Sequence, residues 1–92
     1  MRAGRPPGIL AWMLAERETA GFLVADSHGR RVGLVEGPMY GRAATRPDAL
    51  AVRARGRYGR HFIVPAGAIE AIDDDAETIS LQLERRELQT FL

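Results

Sequence analysis

Apolar and polar residues alternate along most of this chain, and the alternation changes period once. Ile9 to Arg17 carries Ile9, Trp12 and Met13 at helical spacing, with Leu10 and Leu14 beside them, which predicts a short helix ahead of Gly21. From Phe22 onward the period is that of strands. Phe22 to Ala25 and the run holding Val32, Leu34 and Val35 are joined by Asp26-Ser27-His28-Gly29, with Asp opening a tight turn and Gly closing it. That combination predicts a β-hairpin in which Gly29 takes a positive φ. Gly33 inside the return strand marks a bend where another backbone approaches too closely for a side chain.

The pattern then repeats. Gly37-Pro38 is expected to end the second strand, and Met39 to Asp48 to form a long loop. Leu50 to Arg55 alternates small apolar and charged residues, as a strand with one buried face does. His61 to Val64 is a further strand, stopped by Pro65, which has no N–H to donate. Ala66 to Ala68 reads as a turn, Ile69 to Ile72 as a strand, and Asp73-Asp74-Asp75 as a solvated acidic turn. Ile79, Leu81 and Leu83 alternate with Ser80, Gln82 and Glu84, and the tail from Glu84 to Leu92 is expected to make helical turns that lay Leu88 and Phe91 on the body. Short strands with turn signals between them predict an all-β fold, a small closed or partly open antiparallel β-barrel of about six strands. The expected interior is Phe22, Val24, Val32, Leu34, Leu50, Val52, Phe62, Val64, Ile69, Ile79 and Leu81.

Size sharpens this picture. Ninety-two residues, 46% hydrophobic and 27% charged, suit one domain over 21–92 behind a leader of residues 1–20. There is no cysteine to staple the chain or to bind metal, so stability rests on the core or on association with another chain, and a homo-oligomer is expected. The apolar run at the start is short and is followed at once by Glu16, Arg17 and Glu18, unlike a secretory signal, and no stretch is long enough to span a bilayer. A cytoplasmic protein is expected.

Two segments together carry a family resemblance. Val24-x-Asp26-Ser27-x-Gly29-x-x-Val32-Gly33-x-Val35-Glu36 is followed by Arg60-x-x-Ile63-Val64-Pro65-x-x-Ala68-Ile69 and an Asp-rich turn before a last strand. This order resembles the PRC-barrel domain, found in the H subunit of photosynthetic reaction centres and in the C-terminal part of the ribosome maturation factor RimM. The resemblance covers Gly21 to about Leu83. It implies a barrel that works as an adaptor, with no catalytic residues to carry over. The leader lies outside the family pattern, and the chain shows neither the membrane helix of the H subunit nor a preceding RNA-associated domain.

Candidate chemistry adds little. Asp26, Ser27 and His28 are consecutive on one turn and cannot line up as a nucleophile relay. Asp73 to Asp75 lack the glycine and the distal glutamate of a calcium loop, and His28 and His61 have no ligand spacing. The glycines do not form a phosphate cradle ahead of a helix. No enzyme activity, cofactor or metal is therefore expected.

Two binding readings remain. The first is a protein-interaction adaptor, self-associating through Ile9, Trp12 and Met13 of the leader and through open sheet edges. The alternative is an RNA- or ribosome-associated module using Arg53, Arg55, Arg57 and Arg60 with Tyr58 between them. A formal net charge of only +1 tips the expectation toward a protein partner of unknown identity. All thirteen basic residues are arginine, which fits the codon usage of a GC-rich genome.

Overall fold

In the computed structural model, which describes residues 18–41, 47–54 and 59–91, the turn after Ala25 sets the first hairpin. The Gly29 N–H donates to the Asp26 carbonyl at 2.9 Å, and Gly29 has φ 76°, as the sequence predicts. Strand β1 (Leu23–Ala25) thereby pairs antiparallel with β2 (Arg31–Met39). The chain continues through β3 (Ala49–Arg53) and β4 (His61–Pro65) as an antiparallel meander. A single 3₁₀ turn, Ala66–Ala68, leads into β5 (Ile69–Asp73), which pairs antiparallel with β6 (Thr78–Leu81).

Among the described residues the sheet has seven strands where the sequence predicts about six, in the order β5-β6-β1-β2-β3-β4-β7. The seventh, β7 (Gln89–Phe91), replaces most of the expected C-terminal helix. Leu88 and Phe91 are three positions apart, a spacing that suits a helix, but the free side of β4 offers unpaired backbone groups that an extended tail satisfies. Only Arg85–Glu87 makes a 3₁₀ turn, and Leu88 is buried as expected. The N-terminal helix, with Ile9, Trp12 and Met13, lies outside the described residues.

The barrel is partly open and not wholly antiparallel. Strands β5 and β7 stand at the two ends of the order and share no ladder among the described residues. Strand β1 pairs parallel with β6, Val24 facing Ile79. Short turns oblige consecutive strands to run antiparallel, but β1 and β6 are distant in sequence and no turn fixes their relative direction.

One core forms inside the curled sheet, with Val24, Leu50, Val52, Val64, Ile69 and Ile79 fully buried and Phe22, Val32, Phe62 and Leu81 nearly so. Leu34, expected inside, is exposed, and Val35 takes its place. The reason is a β-bulge. Val24 pairs with Gly33 and Ala25 with Arg31, so Val32 is an extra residue on β2 and the inside–outside phase shifts by one beyond it. Val32 and Gly33 both face inward, Leu34 outward and Val35 inward. A Cβ on Gly33 would sit 2.3 Å from the Arg53 carbonyl oxygen, which confirms the close approach. A second bulge at Glu36 carries β2 through Gly37-Pro38 to Met39 instead of ending it there. Pro65 also remains within its strand, as the last residue of β4 opposite Ala49.

Candidate anion-binding groove

Asp26 opens the β1–β2 turn and is buried, so its carboxylate must find donors. It finds three backbone N–H groups: His28 at 2.9 Å and Arg30 at 2.8 Å on Oδ1, and Arg85 at 2.9 Å on Oδ2. Burial pushes its pKa up, but these hydrogen bonds, helped by the nearby His28, outweigh burial and hold it below the ordinary value of 3.8. The carboxylate is thus ionised at neutral pH and ties the turn to the C-terminal tail. A Ser27 N–H to Leu83 carbonyl bond of 2.9 Å makes the same connection beside it.

This tie has an electrostatic result. It brings Arg85 and Arg86 to the same groove as Arg30, and Arg60, just ahead of β4, joins them. The four side chains border an open groove with Asp26, His28, Phe62, Glu84, Leu88 and Thr90. Phe62 and Leu88, both buried, form its apolar floor, and the Arg85 guanidinium lies 5.5 Å from the Phe62 ring centre. Arg86 Nε donates to Glu84 Oε2 at 2.8 Å, while His28 Nε2 contacts the other oxygen of the same carboxylate. The Arg86 hydrogen bond is the main reason that the Glu84 carboxyl titrates below its ordinary range; partial burial opposes it and His28 assists.

Among the described residues, no carboxylate pairs with the side chain of Arg30, Arg60 or Arg85. Three unpaired cations around one groove repel one another, and their repulsion falls when a bound anion is shared between them. Guanidinium groups suit phosphate and carboxylate ligands because their planar fork gives paired, charge-assisted hydrogen bonds.

Of the residues proposed from sequence for RNA binding, Arg60 lines this groove. Arg53 is exposed at the end of β3, in register with His61, and is not part of the groove wall. Arg55, Arg57 and Tyr58 lie outside the described residues, as do Ile9, Trp12 and Met13. Arg30, Arg85 and Arg86 were missed because they belong to segments distant in sequence. The available signal was Asp26, a carboxylate at a turn that would be buried by whatever segment folded over it.

No protein-family profile matches the chain, and no curated protein matches it. Among solved structures it is similar to a Pseudomonas aeruginosa protein named as the 16S ribosomal RNA processing protein RimM, with a TM-score of 0.60 and 16% identity. The likeness covers 82% of this chain and 44% of that one, so this chain spans less than half the length of RimM. At that identity the likeness is one of fold, and the chain has a barrel-like fold of the kind that RimM contains.

Proposed function

We propose that this chain is a non-catalytic accessory barrel that docks on RNA of a ribosomal particle, with the arginine-lined groove as its contact surface. The observation that carries this reading is the meeting of Arg30, Arg60, Arg85 and Arg86 around one groove, three of them without a carboxylate partner among the described residues. The fold supports it, since the similar structure is of a protein named for 16S ribosomal RNA processing. A net charge of +1 spread evenly would attract RNA weakly; the same charges sorted so that guanidinium groups crowd one groove attract phosphate locally. The chain then acts as an adaptor in the cytoplasm, holding a particle rather than transforming a substrate.

The test is recovery of the full tagged chain from native lysate with its bound material, with and without ribonuclease. Ribosomal RNA that co-purifies, and is lost when Arg30 and Arg85 are both changed to Ala, supports the reading. Recovery of proteins alone, unchanged by ribonuclease, contradicts it.

A second reading, protein docking or self-association, is favoured by a separate observation. Among the described residues, strands β5 and β7 stand at the two ends of the sheet order, and Leu34 and Tyr40 are exposed large apolar residues on or beside β2. Light scattering at increasing concentration tests it: a constant monomer mass removes self-association.

A further inference from the structure

Glu84 places one carboxylate between two donors from different parts of the chain, Arg86 Nε at 2.8 Å and His28 Nε2. A guanidinium and an imidazole on adjacent oxygens of one anion form an arrangement that a phosphate group also satisfies. We infer that this is a phosphate subsite occupied by the protein's own side chain: Glu84 stands where a phosphodiester of bound RNA sits, and binding displaces it. The inference rests on the RNA reading above and adds the position of one contact and an internal competitor for it.

Three features support the exchange. The donors are accessible, with the Arg86 side chain 84% exposed and that of His28 61% exposed, so an incoming strand reaches both. On the donor side these ion pairs are open to solvent and worth little, so replacing the partly buried Glu84 carboxylate by another anion on the same donors costs little at the donors. The 3₁₀ turn that carries Glu84 is anchored by its backbone, through Glu87 N–H to the Glu84 carbonyl at 2.9 Å, Leu88 N–H to the Arg85 carbonyl at 3.1 Å and Arg85 N–H to Asp26. These backbone anchors do not use the Glu84 carboxylate, nor does the Glu84 N–H bond to Glu87 Oε1 at 2.8 Å; what the carboxylate gives up on swinging away, besides Arg86 and His28, is its capping contact with the Glu87 N–H. A phosphate in its place lies in the groove that Arg30, Arg60 and Arg85 border.

Glu84 therefore weakens RNA binding while it keeps Arg86 and His28 arranged in the empty groove. The test uses fluorescence anisotropy with a labelled oligouridylate and the full chain. Glu84→Gln preserves side-chain size and removes the charge, and it is expected to tighten binding by about three- to tenfold. Arg86→Ala should abolish that gain, so that Glu84→Gln with Arg86→Ala binds no more tightly than Arg86→Ala alone. Far-UV circular dichroism confirms folding of each variant.

If the wild type binds RNA and Glu84→Gln binds equally or less well, the subsite is wrong and the RNA reading stands. If neither folded protein binds, both fall together. If polyglutamate displaces the oligouridylate at matched charge, the groove selects acidic polypeptide, and the phosphate assignment is overturned.

Discussion

The carboxylate of Asp26 accepts the backbone N–H of Arg85 at 2.9 Å, joining positions 59 residues apart. One buried side chain in a hairpin turn thus helps to hold the C-terminal tail, together with the Ser27–Leu83 bond and the β4–β7 ladder, and with it two of the four groove arginines. Asp26→Ala removes the acceptor of three N–H groups and should destabilise the domain by about 1 to 3 kcal/mol, read by urea unfolding. If the groove binds RNA, affinity for it should fall as well, because Arg85 and Arg86 lose part of their anchoring.

The same carboxylate sets an acid response. Its folded-state pKa lies below the ordinary value of 3.8, so its stabilisation is complete above 3.8 and is lost as pH falls below that value through the folded one. Stability of the wild type should therefore decline in that acid window more steeply than that of Asp26→Ala. Equal slopes for the two proteins in urea titrations across that window would refute the assignment.

Two glycines should respond unequally to alanine. At Gly29 the space around a Cβ is open and only φ 76° is strained, so Gly29→Ala should cost on the order of 1 kcal/mol. At Gly33 the Cβ meets backbone atoms of Arg53 and Ala54 that cannot move without parting β3 from β2, so Gly33→Ala should cost clearly more. Thermal melts of the two variants decide the order.

Leu81 is 1% exposed and Leu34 36% exposed. Leu81→Ala should cost about 2 to 5 kcal/mol, whereas Leu34→Ala should stay within about 0.5 kcal/mol of wild type. A large loss at Leu34 would place it in the core after all.

Salt provides the check on the groove. If its four arginines each contact one phosphate of a single strand, log affinity should fall with log salt at a slope no steeper than about −3, and each of Arg30→Ala, Arg60→Ala and Arg85→Ala should flatten it by about 0.7. Anisotropy titrations at several salt concentrations measure this. Arg53→Ala, away from the groove wall, should leave the slope nearly unchanged.

Much of the barrel is legible in the sequence because strand alternation is a local property. Phe22, Val24, Leu50, Val52, Phe62, Val64, Ile79 and Leu81 are buried as their spacing predicts. Leu34 is outside because a bulge at Val32 shifts the phase; Gly33 marks a bend in the sequence, but the alternation alone does not show that the bend inserts a residue. The groove was legible only at Arg60. Arg30 and Arg85 become neighbours through a buried carboxylate and a tail that returns to the first hairpin, and that relationship exists only once the chain has folded.

The parallel pairing of β1 with β6 has a consequence for the order of assembly. Strands β2, β3 and β4 can zip together through neighbouring turns, but β1 gains its second partner only when residues 78–80 arrive from far along the chain. Closing so large a loop before its contacts form has an entropic cost, and non-local pairings of this kind slow the search. During synthesis, a nascent chain that has not yet released β6 carries β1 with one open side, a surface available for wrong pairing until Thr78–Leu81 emerges. Arg85 follows β6 in the chain, so the Asp26–Arg85 hydrogen bond, and the groove with it, can form only after β6 has emerged.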